Sequence, residues 1–417
     1  MSLKRLEGLK QDMKKCVRCS LCKLIPLPTI QQTRFTSACP PVDEYHFHAY
    51  SGGGIQVMAL ALLEGRIEVD KDLAQILSAC TTCGMCDVAC KFIMAAERQE
   101  VILALKEHLF ETEFEVIPRK NDEETTTNLR HWADGLNLRI LPDEKIDVLL
   151  FVGTGANHDP QHAASAYKLA RLLLQAGVHF GILDSDEPKS GIEAYWTGQR
   201  QVFSENAQQV IDLLNLTGVK VIVTLCGEDF GIFRSKYPRY DKKLKAKVVH
   251  ASEFLLSLVK KGKLRLTNPI EQKVTYHDPC YLGRQSEPTQ PWEGEERQTH
   301  GVMRYFVPPK PINYGVNGVF DAPRLLLQKI PGLNFTEMHR VREYAYCCGG
   351  GGGVPDAHPN VSRSAAIHRI NEARDVNAEL IVTCCQHCRH NLNKWQEGKV
   401  LPIIDLVDLV YEAVGGK

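Results

Sequence analysis

Two features that often reveal what a protein binds are missing from this sequence of 417 residues: a net charge and a long apolar run. Its 50 Lys and Arg residues balance 50 Asp and Glu residues, so the overall charge gives no reason to expect a nucleic acid or an acidic membrane surface as partner. No apolar run approaches the roughly 20 residues that span a bilayer. Residues 1–15 are charged and lack the apolar core of a secretory signal. These absences predict a cytoplasmic protein without a transmembrane segment.

Cysteine, by contrast, is abundant, with fifteen residues. A disulfide-bonded secreted protein would also be rich in cysteine. However, two-residue gaps recur between these cysteines, and CxxC is a metal-binding or redox spacing. Fourteen of the fifteen fall into three groups, and Cys226 stands alone. The spacing therefore predicts metal sites rather than disulfides.

The pattern along the chain predicts several regions. Residues 1–110 hold eight cysteines and are predicted to be helical, and the polar residues 111–144 are predicted to be a linker. From residue 145 onward short apolar runs alternate with helical stretches, which indicates βαβ units on a mostly parallel sheet. The predicted strands are 146–155, 178–184, 219–226, 273–280 and 378–385, and the predicted helices are 163–177, 206–215 and 323–330.

An internal repeat lies within the α/β part of the chain. VIVTLC, which ends at Cys226, matches LIVTCC, which ends at Cys385, 159 positions later. VVHASEFL (248–255) matches IIDLVDLV (403–410), 155 positions later. The repeat predicts two similar α/β domains in tandem, 145–260 and 261–417. Residues 285–313 interrupt the second copy, are rich in proline and polar residues, and are predicted to form a long surface loop.

The eight N-terminal cysteines form two runs. The first is CxxCxxC followed by a Cys-Pro pair, and the second is CxxCxxCxxxC. They resemble a two-cluster ferredoxin module, in which the fourth cysteine of each run ligates the other cluster. Three thiolates on one tight loop can face three corners of a cubane, and the fourth corner must be reached from another segment. The predicted [4Fe–4S] ligand sets are Cys16, Cys19, Cys22 and Cys90 for the first cluster, and Cys80, Cys83, Cys86 and Cys39 for the second.

Two details depart from the ferredoxin pattern. Sixteen residues separate Cys22 from Cys39, and Lys91 follows Cys90 where proline is usual. Neither change removes the cross-pairing, because Cys39 still comes from a remote segment. Structural zinc sites are the alternative, although CxxCxxC triplets are uncommon for zinc. The intervening His46, His48 and glycines are predicted to pack around the cluster loops.

The C-terminal cysteines occur in three short motifs: HDPCYLGR around Cys280, CCGGGGG around Cys347 and Cys348, and TCCQHC ending at Cys388. Together with NGVFDAPR (317–324) they resemble the cysteine-rich domain named for its Cys-Cys-Gly (CCG) signature. This domain occurs in the B and D subunits of heterodisulfide reductases and in the iron–sulfur subunits of glycolate oxidase and of benzoyl-CoA reductase complexes. The ligands that the resemblance implies are Cys280, Cys347, Cys348, Cys385 and Cys388.

In the CCG family these five cysteines can hold a non-cubane [4Fe–4S] cluster, and zinc is the alternative occupant here. Gly349 to Gly353 would let the backbone approach the cluster closely. His277 and Asp278 are predicted either to tune the cluster through hydrogen bonds or to form a simple turn at the end of a strand. Cys280 and Cys347 are farther apart than the family pattern, and the insertion 285–313 accounts for the excess.

The first copy of the repeat has lost most of this cysteine set. Thr154, Lys189, Ser190 and Asp229 occupy the positions of four ligands, and only Cys226 remains, at the position of Cys385. One thiol, a carboxylate, a cation and two hydroxyls cannot assemble such a cluster. The prediction is therefore that 145–260 keeps the fold without a cluster, and that Cys226 is a buried small hydrophobe.

The function that these features predict is an electron-transfer subunit of a heterodisulfide reductase-like oxidoreductase complex. As the family resemblance implies, electrons would be relayed between a flavoprotein partner, such as a heterodisulfide reductase A-like subunit, and an acceptor or further redox subunit. Two alternatives remain open: a thiol/disulfide reductase acting at the C-terminal cluster, and a zinc-stabilised scaffold subunit.

Overall fold

The computed structural model of the chain describes residues 2–26, 30, 32–112, 114, 132–142, 146–183, 187–239, 242–288, 290, 292–299 and 303–416. Most of the predicted linker 111–144 lies outside the described residues. Among the described residues, no helix combines the length and the apolarity needed to cross a membrane.

The N-terminal region is helical, as predicted. Its helices are α1 (Ser2–Gly8), α2 (Lys10–Lys14), α3 (Pro40–Tyr45), α4 (Gly52–Leu63), α5 (Lys71–Ser78), α6 (Met85–Met94) and α7 (Arg98–Glu111). Helix α7 is buried on nearly all sides because α1, α4, α5 and α6 surround it within the region, and α9 of the next region covers what remains. Apolar side chains from α1, α4, α5 and α7 form the core.

The next region contains a parallel sheet and its helices. Its elements are β1 (Arg139–Ile140), β2 (Val148–Phe151), α8 (Pro160–Gln175), β3 (Phe180–Ile182), α9 (Ile192–Thr197), α10 (Arg200–Leu216), β4 (Val221–Thr224), α11 (Gly227–Gly231), β5 (Lys247–His250) and α12 (Ala251–Lys260). The strands lie in the order β1-β3-β2-β4-β5, and all pairs are parallel. Because helices cover both faces, β2 and β4 are apolar and largely buried along their length.

The last region contains a second parallel sheet. Its elements are β6 (Lys273–Tyr276), β7 (Glu295–Thr299), β8 (Met303–Val307), α13 (Asp321–Leu327), β9 (Asn334–Phe335), α14 (Val354–Ala357), α15 (Pro359–Asp375), β10 (Leu380–Thr383), α16 (Gln386–Lys394), β11 (Ile403–Asp405) and α17 (Leu406–Ala413). The sheet order is β11-β10-β6-β9. All five strands predicted from the sequence are confirmed, and β1, β5, β7, β8, β9 and β11 are additional.

The two sheets share a strand order. Four neighbouring strands of the first sheet, β3-β2-β4-β5, lie in the same order as β9-β6-β10-β11 of the second, and the chain forms the corresponding strands in the same sequence. Strand β1 extends the first sheet beyond β3. The helices between the sheets pack reciprocally, α8 on α17 and α12 on α13, and one apolar core runs through both regions. Reciprocal contacts of this kind are those of an isologous, two-fold interface.

Two expectations about boundaries need correction. Residues 139 and 140, within the predicted linker, form strand β1, which pairs with β3 and so extends the first sheet. Residues 285–313 do not form an irregular loop throughout. They contain β7 and β8, which pair as an antiparallel two-stranded ribbon, with Trp292 packed edge-on against Phe306.

Candidate metal centres

The first predicted ligand set lines one cavity, whose volume of about 400 Å³ includes space that is open to solvent. The lining includes all four predicted thiols, Cys16, Cys19, Cys22 and Cys90. The first three lie on the loop after α2, and the fourth lies on α6. The structure therefore brings together residues that are more than 60 positions apart in sequence, as the cross-paired arrangement requires.

The amino-terminal end of α4 lies against this cavity. Ser51 caps the helix by accepting a hydrogen bond from the Gly54 amide, and the Gly53 amide donates to Cys22 Sγ at 3.3 Å. A Cβ added at Gly52 would lie 2.7 Å from Cys86 Cβ, so glycine is required where the helix passes between the two cysteine sets. The ring of His48 lines the same cavity, in keeping with its predicted packing around the cluster loops.

The second predicted set also converges. Cys80 and Cys83 lie in the segment that joins α5 to α6, Cys86 lies in the first turn of α6, and Cys39 precedes α3. Burial raises the pKa of Cys39 well above its usual value, and the neighbouring thiols of Cys80 and Cys83 raise it further. Four thiols held this close together away from water remain protonated unless a metal displaces the protons.

The C-terminal cysteines converge at the carboxyl ends of β6 and β10. Cys348 Sγ lies 3.2 Å from Cys388 Sγ, and a ring nitrogen of His277 lies within 4.8 Å of both sulfurs. Contact with Cys347 is the largest cause of the raised pKa of Cys280, ahead of burial. All five thiols that the family resemblance implies therefore border one buried region.

Strand alternation separates the two cysteines at the end of β10. Cys385 lies in the apolar cluster on the α15 and α16 side of the sheet, with Cys348 and Cys388. Cys384 lies in the core on the opposite side, where it contacts the hydroxyl of Tyr276. Successive side chains of a strand point to opposite faces, so only one member of this pair can face the other thiols.

The glycine run after Cys348 has a specific packing role. Gly349 has a φ of +84°, and a Cβ there would lie 2.6 Å from the Ser362 carbonyl oxygen. Gly352 has a φ of +71°, and its Cβ would lie 2.6 Å from the Cys80 carbonyl oxygen. The backbone of this loop therefore touches both α15 and the cysteine loop of the N-terminal region, which a larger residue would prevent.

His277 and Asp278 have different surroundings, although they are adjacent. Arg369 Nε donates to His277 Nδ1 at 2.9 Å, and burial with this cation lowers the pKa of His277 to about 3. Because Nδ1 accepts this hydrogen bond, the proton of the neutral ring is on Nε2. Asp278 forms a bidentate ion pair with Arg324, at 2.6 and 2.8 Å, and does not join the cysteine group.

Cys226 is buried, as predicted, but it is not isolated. Its sulfur lies within 4.8 Å of Cys385 Sγ and of a Glu228 carboxylate oxygen. Contact with Cys385 is the largest cause of its raised pKa. The one thiol left in the first copy therefore sits beside the thiol that it matches in the second.

Carboxyl groups occupy the rest of the first copy's strand ends. Glu187 accepts hydrogen bonds from the Val152 and Gly153 amides at 3.2 and 2.6 Å, and burial raises its pKa to about 8. Burial also raises the pKa of Asp229 to about 6, opposed by a hydrogen bond with Ser190. Both carboxyls thus have an increased affinity for protons, and Asp229 is the one that the repeat aligns with a C-terminal cysteine, Cys388.

The second N-terminal cysteine set directly adjoins the C-terminal set. Contact between Cys83 and Cys347 is the largest cause of the raised pKa of Cys83. Arg284, only 7% exposed, lies at this junction and donates from Nε to the Cys83 carbonyl oxygen at 2.6 Å. Sequence reasoning gave Arg284 no role, although it is the last residue of the HDPCYLGR motif.

The residues present fit iron–sulfur clusters. All fifteen cysteines, each of which lies in the described part of the chain, are free thiols. Backbone amides and glycines line the N-terminal and C-terminal sets, where substitution would close the space beside the sulfurs. Convergent thiolates with N–H donors around them form the environment that iron–sulfur clusters use.

Comparison with known proteins agrees with this chemistry. A 4Fe-4S dicluster domain matches residues 12–92, which include all eight N-terminal cysteines. The cysteine-rich CCG domain matches residues 305–393, which include four of the five C-terminal candidates but not Cys280. The chain is therefore an iron–sulfur oxidoreductase protein of the CCG class.

The similarity extends to whole proteins. The chain is 31% identical to the D subunit of the dihydromethanophenazine:CoB–CoM heterodisulfide reductase of Methanosarcina mazei, over 81% of this chain and 77% of that protein. The corresponding protein of Methanosarcina barkeri is 26% identical, over 97% of this chain and 94% of that protein. An EtfAB:quinone oxidoreductase of Syntrophomonas wolfei is 30% identical, over 62% of this chain and 33% of that protein. The chain belongs to the family of heterodisulfide reductase D subunits.

Proposed function

We propose that this chain is an electron-transfer subunit that relays electrons between a flavoprotein and an acceptor. The observation that carries the proposal is the contact between Cys83 and Cys347, which joins the second N-terminal thiol set to the C-terminal set. With clusters bound at these sites, the chain would hold one-electron carriers side by side. Thirteen cysteines are the proposed ligands. They are Cys16, Cys19, Cys22 and Cys90; Cys39, Cys80, Cys83 and Cys86; and Cys280, Cys347, Cys348, Cys385 and Cys388.

The first N-terminal thiol set and the C-terminal set differ in how far their thiols are exposed to solvent. Cys19 is exposed, and the neighbouring Val17 is 65% exposed, so the first set can exchange electrons with a protein that docks there. Cys347, Cys348, Cys385 and Cys388 are each at most 4% exposed. A disulfide substrate would not reach these sulfurs in this conformation. This difference favours a relay over a disulfide reductase whose C-terminal cluster contacts its substrate.

The proposed cofactors are two cubane [4Fe–4S] clusters and one non-cubane [4Fe–4S] cluster. The adjacent thiols of Cys347 and Cys348, with Cys280 and Cys388 in contact on either side, support a cluster with more ligands than the four of a cubane. We further propose that the first sheet region is a degenerate CCG-type domain. Its support is the strand order shared with the second sheet and the reciprocal packing of the two.

The proposed partners follow from the relatives. Two of them are named as a component of heterodisulfide reductase, and one is named for EtfAB and quinone. A flavoprotein suits the donor side, because a flavin can pass on a pair of electrons one at a time. The exposed first thiol set is the proposed point of contact.

Metal analysis and partner capture test this function. The full chain, reconstituted anaerobically, should bind about 12 iron atoms with matching sulfide, as three four-iron clusters require. Zinc in place of iron at the C-terminal set would contradict the relay and favour a scaffold. Capture of a flavoprotein, with no turnover of small disulfides by the chain alone, would support the relay. Disulfide reduction by the isolated chain would support the reductase alternative.

A further inference from the structure

Each N-terminal thiol set has a buried arginine beside it. Arg98, 1% exposed, donates from Nε to Cys90 Sγ at 2.8 Å in the first set. Arg284, 7% exposed, donates to the Cys83 carbonyl oxygen in the second set. Arginine keeps its charge in such surroundings, so both are permanent cations beside candidate clusters.

Arg284 differs from Arg98 because it reaches a second site. From Nη1 it donates to the carbonyl oxygens of Ala345 and Glu343, at 2.7 and 3.2 Å, just before the Cys347–Cys348 pair. The same side chain thus binds the loop of Cys83 and the loop of Cys347. Its backbone also follows Cys280 by only four residues, so the motif that supplies one ligand supplies this cation as well.

The guanidinium group of Arg284 lies between the two thiol sets. It is only 7% exposed and donates to carbonyl oxygens in the loops of Cys83 and Cys347, so its charge is held close to both sets. Within the described residues its Nη2 is buried and has no hydrogen-bond partner. A guanidinium nitrogen without a partner in such a place is costly unless an anion lies near it.

We propose that Arg284 is a positioning residue shared by the second cubane and the C-terminal cluster, and that its charge raises the reduction potentials of both. Reduction adds negative charge to a cluster, and a nearby cation stabilises that charge in a medium of low polarity. Arg98 performs the same role for the first cubane alone. The proposal rests on the proposed function, because it assumes clusters at these thiols.

The test compares Arg284→Gln, Arg284→Lys and Arg98→Gln in the reconstituted full chain. Redox titration followed by electron paramagnetic resonance gives the potential of each cluster without any substrate. In R284Q the potentials of the second cubane and the C-terminal cluster should both become more negative, while that of the first cubane stays at its wild-type value. In R98Q only the first cubane should shift. R284K, which keeps the charge, should restore most of both shifts.

Three outcomes would overturn the proposal: full iron with no shift in R284Q, a shift in one of the two clusters only, or an equal shift in all three. If R284Q binds less iron than wild type, the iron content of R284K decides whether the charge is shared by the two sites. Iron restored by the lysine at both sites together supports a shared cation, and iron restored at one site contradicts it. Failure of the proposed function looks different, since the wild-type chain would then lack iron at these thiols.

Discussion

The two α/β regions have the same order of parallel strands, but only the second surrounds its strand ends with thiols. Both end with a helix whose first turn is closed by a capping box, at His250 in the first region and at Asp405 in the second. In both, a cysteine two residues after a central strand occupies the position just before the next helix, Cys226 before α11 and Cys385 before α16. The strand order and the helix starts of the two regions match, whereas the side chains of the loops at the strand ends differ.

This difference indicates that the strands determine the fold, whereas the loops at the strand ends determine whether a thiol site forms. The strands are specified by apolar residues that fill the core between two helical layers, and those residues are present in both copies. The C-terminal thiols lie at a few loop positions, and the first sheet has the same strand order although Cys226 is the one cysteine in its region. Four experiments can break or sharpen this comparison.

The largest effect is expected from Cys347→Ala. It removes a proposed ligand that contacts Cys280 and Cys83, so the C-terminal cluster should be lost, with about a third of the bound iron. Iron analysis and electron paramagnetic resonance check this, and both N-terminal signals should remain. Cys384→Ala is the matched control, since Cys384 is equally buried but faces the other side of the sheet. Loss of every signal in C347A would mean that the sites are not independent.

The next effect concerns stability in the first copy. The pKa of Glu187 is raised from 4.5 to about 8 by burial, so the folded state holds a proton that the unfolded state has released. The free energy of unfolding should therefore fall as pH rises from 4.5 to 8, by about 2–4 kcal/mol. Glu187→Gln should remove this contribution and make the decline shallower, while Asp229 and Asp405, whose pKa values are also raised by burial, still contribute. The variant should be more stable than wild type at pH 8, as measured by urea unfolding.

The control for this measurement is Glu205→Gln, at an exposed position of α10. It should keep the wild-type dependence on pH. If Glu187→Gln kept the same decline, the carboxyls of the first copy would not be what distinguishes its stability from that of the second.

A smaller effect is expected from Cys226→Ala. The sequence alone predicts no change in cluster content, and the structure adds that Cys226 contacts Cys385. Iron content should therefore equal that of wild type, while the paramagnetic signal of the C-terminal cluster changes shape, because a neighbouring thiol is gone. Cys384→Ala again serves as control and should leave the signal unchanged. A fall in iron would mean that the first copy supplies a ligand.

The smallest effect is expected from shortening the insertion that distinguishes the second copy. The β7–β8 ribbon is held by its own pairing and by Trp292, whose Nε1 donates to the Pro308 carbonyl oxygen at 2.9 Å. Replacing 290–311 by a short Gly–Ser loop should change the free energy of unfolding by less than about 1 kcal/mol and leave the iron content unchanged. Loss of the C-terminal cluster would instead make the ribbon part of the site.

Much of the fold was predictable because its signals are local. The apolar runs at β2, β4 and β10 and the periodic segment at α8 stand out in the sequence, and all were predicted. Short edge strands such as β1 and β9, with two residues each, have no periodicity to detect, because they form only by pairing with a longer neighbour.

The candidate thiols were predictable from spacing, but their surroundings were not. The contacts of Cys226 with Cys385 and of Cys83 with Cys347 each join segments more than 150 positions apart. Such contacts arise only when the regions pack, and one sequence carries no record of that packing. For the same reason the sequence did not show that Arg284 contacts the loop of Cys347 as well as the loop of Cys83, although Arg284 lies in a recognisable motif.

Gly352 has one further consequence. Its backbone lies against the Cys80 carbonyl, so the loop that carries one cysteine set is part of the wall of another. A side chain at Gly352 would have to displace the Cys80 loop as well as its own loop. A single substitution there is therefore expected to disturb ligands of two proposed clusters at once.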